Sequence, residues 1–347
     1  MRPRSIAVAA LFVVVAVVVG VYVVRGGRDA EPLPGRPLRD LAKARGIELG
    51  TAVRSDAVRR NRAYRQLVAA QFSSVTPENE MKWDAVEPSR GEFEFDAADD
   101  IVARAREAGQ KVRGHTLVWH AQVPGWVKEL GPRELRQAMR EHIRRVVEHF
   151  RDDVGVWDVV NEPISDRGGL RPSVFRRRLG PGFIEDAFRT ARTADPDAKL
   201  YLNEIGAESV NPKSDRLYEI VRGLKARGVP IDGVGFQAHA NLDGLPDDFV
   251  ANMRRFRALG LDVAITEADV ALKMPPSAED LRRQASIYRR IVRSCLAVDC
   301  RSLTFWGFTD GRSWISETQA GMGAATLLDD QLRPKPAFRA VQRALRG

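Results

Sequence analysis

Eight short apolar runs, alternating with amphipathic helical stretches, constrain this chain more than any other feature. The runs are residues 47–53, 72–76, 111–119, 154–162, 199–204, 233–239, 262–268 and 302–308. Strands joined by helical crossovers pair in parallel, which leaves an open doubly wound sheet or a closed barrel. An open nucleotide-binding sheet carries a glycine-rich turn after its first strand, and LGTAVRSDA (49–57) contains no GxGxxG. The count of eight instead fits an α/β fold with a single closed (β/α)₈ barrel, in which reactive residues sit at the C-terminal ends of the strands. The intervening stretches read as helices. Ile101, Val102, Ala105 and Ala108 recur at helical spacing with Gly109 as a stop. Residues 132–150 begin on Pro132, and Ser277 with Asp280 has the form of a capping box.

Polar and aromatic residues gather where the apolar runs end: VTPENEMKW (75–83), GHTLVWH (114–120), VNEP (160–163), YLNE (201–204), FQAHA (236–240), ITEAD (265–269) and FWGFTDGRSW (305–314). Core packing does not call for such residues in register. Two glutamates stand out, Glu162 closing GVWDVVNEP and Glu267 near the end of DVAITEADV. No Ser or Cys has a convincing neighbouring base, and HExxH is absent. A carboxyl pair is what glycosidic cleavage uses, one group protonating the leaving oxygen and the other attacking or activating water. Tryptophans that stack on sugar rings, together with Asn, Gln, His and Lys side chains for hydroxyls, complete a carbohydrate site by composition. Trp306 and Trp314 are assigned to that site, Trp83 and Trp157 to the core. Glu204 is a rival acid, but no proline follows it. Alternation along a strand puts Gln237 and His239 on one face and Glu267 and Asp269 on one face, so a chain Glu267–His239–Asp269 is expected. The same alternation would send Asn161 and Glu162 to opposite faces unless the strand twists or breaks near Pro163.

The chain has 347 residues with a net charge of +9, and its arginines are scattered through the helical stretches (Arg59, Arg104, Arg144, Arg254). That distribution is a solvated basic surface, and no nucleic-acid site is expected. Neither a CxxC nor clustered histidines suggest a metal. Cys295 and Cys300, with four residues between them, suggest a local disulfide if the chain is exported and free thiols if it is not. The nineteen uncharged residues 6–24 would span roughly 28 Å as a helix, close to a roughly 30 Å hydrocarbon core. They read as a signal anchor, with a cleaved signal peptide as the alternative. Arg2 and Arg4 favour a cytoplasmic N-terminus. Residues 25–37 form a Gly/Pro-rich linker, and 38–347 the catalytic domain. The expected location is extracytoplasmic, either anchored through 6–24 or secreted after cleavage.

VTPENEMKWD, GHTLVWH, WDVVNEP, GVGFQAH, ITEADV and WGFTDGRSW, in that order, resemble the motifs of the family 10 glycoside hydrolases, the endo-β-1,4-xylanases; LLDDQLRPKPAF (327–338) resembles that family's C-terminal end. The resemblance implies retaining hydrolysis of β-1,4-xylosidic linkages in xylan or xylo-oligosaccharides, without a cofactor. It implies Glu162 as acid/base, Glu267 as nucleophile, and Asn161 bonded to the 2-hydroxyl of the sugar being cleaved. Gln237 and His239 would support Glu267, with Asp269 behind them. Glu78, Asn79 and Lys82 match residues that bind xylose units toward the non-reducing end. His115, Trp119, Trp306 and Trp314 match those enclosing the sugars at the cleavage point. Cys295 and Cys300 resemble a disulfide that many members carry. Ile205 and Gly206 depart from the aromatic and asparagine common after the Asn-acid pair, Ala268 from a leucine, and Arg312 from other residues. A monomer is expected. The rival readings are another retaining β-glycanase, such as a cellulase or mannanase, and a non-catalytic polysaccharide-binding surface protein.

Overall fold

The computed structural model describes residues 29–347. The apolar run 6–24 and the start of the linker lie outside the described residues, and among the described residues no helix is long and apolar enough to cross a membrane. Eight parallel strands close into a barrel: β1 (Glu48–Val53), β2 (Ser74–Pro77), β3 (Lys111–Trp119), β4 (Val154–Asn161), β5 (Lys199–Glu204), β6 (Gly233–Phe236), β7 (Asp262–Val270) and β8 (Ser302–Phe305). Each pairs with the next, and β8 returns to β1 from Glu48↔Ser302 to Thr51↔Phe305. A main helix follows each strand, with shorter helices in several of the loops: Arg62–Gln71, Asp96–Glu107, Pro132–His149, Phe183–Ala194, Pro212–Ala226, Phe249–Arg257, Ala278–Ala297 and Pro336–Arg346 are the main ones. The last of these packs on Leu38–Lys43 and on Ala278–Ala297, so the two ends of the barrel domain meet.

Local chemistry sets these boundaries. The Asn61 and Asn211 side chains accept from the N–H groups of Tyr64 and Ser214, satisfying donors that the first helical turn leaves free. Ser277 and Asp280 form both bonds of the expected capping box. Pro132, Pro212 and Pro336 open their helices, where a missing N–H is harmless. The run 233–239, expected as one strand, is two pieces. β6 stops at Phe236, Ala238 takes a left-handed φ of 59°, and His239–Ala240 form a short strand beside Asp269–Val270.

The inner and outer faces of the barrel differ in kind. Outside, the fully buried Trp157 of β4 packs beside Phe150 and over Gly114, its register partner on β3. A Cβ at Gly114 would stand 2.1 Å from the Trp157 ring. Gly114→Ala is therefore expected to destabilise the barrel by about 3 kcal/mol, since a rigid buried indole cannot yield without moving its neighbours. A thermal midpoint equal to wild type would refute this packing. Inside, polar side chains replace hydrocarbon. Arg113 and Asp158 form a buried ion pair, with Nε donating to Oδ2 at 3.1 Å, and His115 Nδ1 lies 3.0 Å from the same carboxylate. Burial alone would raise the Asp158 pKa, but Arg113 and His115 outweigh it and hold the group below the ordinary aspartate range. This charged floor fixes His115 just beneath the strand ends.

Candidate active site

The parity conflict at Asn161 and Glu162 is resolved by two local irregularities. Opposite β5, Asp158 pairs with Tyr201 but Val160 pairs with Leu202, so Val159 is an extra residue that shifts the alternation. Asn161 then falls in register with Asn203. One residue on, Glu162 takes a left-handed φ of 51°, which turns its side chain back over the same end of the barrel. For a non-glycine residue such a conformation costs on the order of 1–3 kcal/mol and persists only where surrounding contacts enforce it. Pro163 fits this break, because it has no N–H to offer the ladder.

Around Glu162 the donors converge from neighbouring strands. Gln237 Nε2 donates to Glu162 Oε1 at 3.0 Å and lies 3.4 Å from Asn161 Oδ1, while His120 Nδ1 stands 3.8 Å from Glu162 Oε2. Burial lowers the His120 pKa despite the nearby carboxylate, which favours a neutral ring. Gln237 thus corrects what the family resemblance implied, that it supports Glu267. Its side chain serves Glu162 rather than Glu267, because the left-handed Ala238 separates it from His239. Only its backbone carbonyl reaches Glu267, accepting that residue's N–H at 3.0 Å. The half-buried Glu208 carboxylate holds the kink by accepting from Ala238 N–H at 2.8 Å.

The expected chain through Glu267, His239 and Asp269 is present. His239 Nε2 lies 3.2 Å from Glu267 Oε2, and its Nδ1 lies 2.9 Å from Asp269 Oδ1. Trp314 Nε1 donates to the other Asp269 oxygen at 2.7 Å, which ties the last aromatic of the site to the same chain. Burial disfavours a charge on His239, but Asp269 and Glu267 outweigh it and raise the imidazole pKa well above its ordinary value. The ring's place between two carboxylates favours its imidazolium form. Burial would likewise push Glu267 up, yet the His239 hydrogen bond and the positive potential of His115 and His239 bring it below the ordinary glutamate range. Glu267 is therefore a buried carboxylate kept ionised.

Asn203, passed over in the sequence, joins the two halves. Its Nδ2 donates to Glu267 Oε1 at 2.7 Å and to Asn161 Oδ1 at 2.9 Å, and its Oδ1 accepts from Thr266 Oγ1 at 2.7 Å. The signal was its place one residue before Glu204 in YLNE, where the acid drew attention instead. Glu204 is fully buried. Its two oxygens accept from the N–H groups of Ile164 and Ile205 at 3.1 Å each, with Lys213 Nζ 3.3 Å away. Burial raises its pKa to about 8 against the pull of Lys213. It props backbone and has no path to a ligand, so the rival acid is set aside. Gly206 has a left-handed φ of 68° and adjoins Lys213.

A second cluster extends from the end of β2. Lys82 Nζ donates to Asn79 Oδ1 at 3.1 Å and to Gln122 Oε1 at 2.8 Å, and lies 4.7 Å from the centre of the Trp119 ring. Gln122 is another residue the sequence reading missed. Burial lowers the Lys82 pKa, with Glu267 and Glu78 opposing it, and burial pushes the Glu78 carboxyl up to about 7 against Arg54 and Lys82. Trp306 meets His115 edge-on with ring centres 5.2 Å apart, and Trp314 lies 4.9 Å from the His239 ring. Trp83 stacks on His142 in the core and donates to Glu87, and Trp157 is core as well. Cys295 and Cys300 are bonded to each other, joining the end of the helix Ala278–Ala297 to the turn that leads into β8. Among the described residues, no group of three or more His, Cys, Asp or Glu side chains is disposed to hold a metal ion.

Comparison with known proteins places this geometry. The family model described as Glycosyl hydrolase family 10 matches residues 37–344. Endo-1,4-beta-xylanase B of Thermotoga neapolitana is 40% identical over 313 residues, covering 88% of this chain and 90% of that protein. The crystal structure of native xylanase 10B from Thermotoga maritima superposes with a TM-score of 0.87 at 41% identity, covering 89% of this chain and 98% of that one. The xylanase 10B of Thermotoga petrophila RKU-1, solved in complex with xylobiose, gives a TM-score of 0.87 at 40% identity over 91% of this chain and 98% of that one.

Proposed function

Because the chain belongs to glycosyl hydrolase family 10, we propose that Glu162 and Glu267 carry out a retaining hydrolysis of β-1,4-xylosidic linkages. The protein is a glycoside hydrolase of the endo-1,4-β-xylanase type that cleaves xylan internally. One observation supports the division of labour. A continuous set of side chains, Gln237, Asn161 and Asn203, links the two carboxyl groups, yet only Glu267 also contacts an imidazolium. The member whose surroundings favour the carboxylate form suits attack on carbon. The partly exposed member, whose side chain is 12% accessible, suits exchange of protons with leaving group and water.

In the first step the Glu162 carboxylic acid gives its proton to the glycosidic oxygen as that oxygen's bond to the anomeric carbon breaks, and a Glu267 oxygen bonds to the same carbon. In the second, the Glu162 carboxylate takes a proton from water, the water oxygen bonds to the anomeric carbon, and Glu267 leaves as carboxylate. Two inversions give net retention, with the carboxyl groups roughly 5–5.5 Å apart in such enzymes. Asn161 is placed for the 2-hydroxyl of the sugar undergoing cleavage. Glu78, Asn79 and Lys82 offer charged and amide groups to sugars on the non-reducing side, with His115, Trp119, Trp306 and Trp314 enclosing the central rings. The xylobiose complex of the Thermotoga petrophila relative supports a xylo-oligosaccharide ligand here. Residues 6–24 and the Cys295–Cys300 bond support a location outside the cytoplasm.

A product profile on xylan beside soluble cellulose tests the substrate, and proton NMR of the first product anomer tests the stereochemistry. The expected outcome is rapid release of mixed xylo-oligosaccharides, little sugar from cellulose, and the β-anomer appearing first. An α-anomer appearing first would overturn the retaining mechanism, and preferential release from cellulose would overturn the substrate assignment.

A further inference from the structure

The carbonyls of the three residues that leave β4 are all taken by one residue, two of them by its side chain. Arg171 Nε donates to the Glu162 carbonyl at 3.1 Å, Arg171 Nη2 donates to the Ile164 carbonyl at 3.0 Å, and the Arg171 N–H donates to the Pro163 carbonyl at 2.7 Å. Three successive carbonyls thus accept from a single residue nine positions on in the chain. The matching donors are also taken. Glu162 N–H goes to the Asn203 carbonyl at 2.9 Å and Ile164 N–H to Glu204 Oε2 at 3.1 Å, while Pro163 has none to place. Among the described residues no carboxylate pairs with Arg171, so its fork is spent on backbone. The segment it grips contains the left-handed Glu162, whose φ of 51° aims the side chain across the barrel mouth.

We propose that Arg171 is a positioning residue for the reaction, clamping the backbone on both sides of Pro163 so that the Glu162 carboxyl faces the leaving oxygen. The inference rests on the reading of Glu162 as the proton donor. A planar fork with two aligned N–H groups reaches two carbonyls at once, which the single ammonium of lysine does with less geometric control. The hairpin itself does not depend on the guanidinium. Ile164 bridges Leu170, Ser165 N–H bonds the Gly169 carbonyl at 2.8 Å, and the Arg171 N–H bond to Pro163 survives any side-chain change other than to proline. Removing the fork therefore frees the turn at Glu162 and leaves the loop closed.

Leaving-group dependence separates positioning of the acid from general structural support. A dinitrophenyl xylobioside departs without protonation, whereas phenyl xylobioside and xylan need the acid. For Arg171→Met, kcat/KM is expected to fall about 10²-fold on xylan and on the phenyl glycoside, the low end of what general acid catalysis contributes, and to change less than about threefold on the dinitrophenyl glycoside. Arg171→Lys should show the same pattern at smaller amplitude, and it carries the test if the methionine variant does not fold. Equal losses on all three substrates, or no loss on any, overturn the proposal. Glu162→Ala is run beside them. If it shows no leaving-group dependence, the acid assignment fails; if it does and neither Arg171 variant does, only the clamp fails.

Discussion

Glu267→Ala is expected to lower kcat on xylan by at least about 10³-fold, roughly 4 kcal/mol of lost transition-state stabilisation. The size follows from what the side chain does and from how much of the site is built around it. Asn203 Nδ2 donates to one of its oxygens at 2.7 Å, and His239 Nε2 lies 3.2 Å from the other. Alanine removes the attacking oxygen and leaves an imidazolium still paired with Asp269. The barrel should therefore stay folded while the chemistry stops, and substrate affinity should change by much less than kcat. Added azide can occupy the vacated space and attack the anomeric carbon directly, giving the α-glycosyl azide by a single inversion. The wild-type pH profile checks the same assignment. Glu267 must be ionised to attack, and its pKa lies below the ordinary 4.5 of a glutamate. Activity limited by this group is present above that pKa and is lost as pH falls through it, so the acid limb of kcat/KM is expected below pH 4.5. An acid limb well above that value, or a Glu267→Ala variant within tenfold of wild type, would remove Glu267 from the nucleophile's role.

What the sequence made legible was periodicity and what it hid was register. Eight apolar runs with polar ends were enough to expect the closed barrel, because alternation between strands and helices is written locally. Ser277 and Asp280 could be read as a cap for the same reason, each being three residues from its partner. The extra residue at Val159 was not legible. An inserted residue in a parallel strand shows only against its neighbour's register, and nothing in VGVWDVVNE distinguishes Val159 from the valine beside it. The same blindness applies to the run 233–239, expected as one strand. FQAH reads as continuous strand until Glu208, thirty residues earlier, is seen to hold Ala238 in its left-handed turn. Asn203 was missed because its function is to touch Asn161, Glu267 and Thr266 at once, and those residues come from two other strands, β4 and β7. By contrast, His239 and Asp269 were found from parity alone, and they ended up together because the short strand His239–Ala240 pairs with Asp269–Val270.

Glu162→Ala is expected to cut kcat/KM on xylan by about 10²–10⁴-fold and to spare dinitrophenyl xylobioside, whose departure needs no proton. On that activated substrate the loss should appear in kcat instead. Glu267 still forms the glycosyl ester, but no carboxylate remains to take a proton from water, so the ester accumulates and KM falls with kcat. Azide again restores turnover, and its stereochemical outcome is the decisive observation. In this variant azide attacks an ester already formed with inversion, so the product is the β-glycosyl azide, opposite to that from Glu267→Ala. Size alone cannot produce that opposition, because both variants replace a glutamate by the same small residue in one connected network. It arises only if the carboxylate beside His239 sits on the ring face that the nucleophile attacks, and the carboxyl beside Gln237 sits on the face the leaving group departs from. The α-azide from Glu162→Ala would exchange the two roles, and with them the physical argument that the carboxylate paired with His239 is the one that attacks carbon.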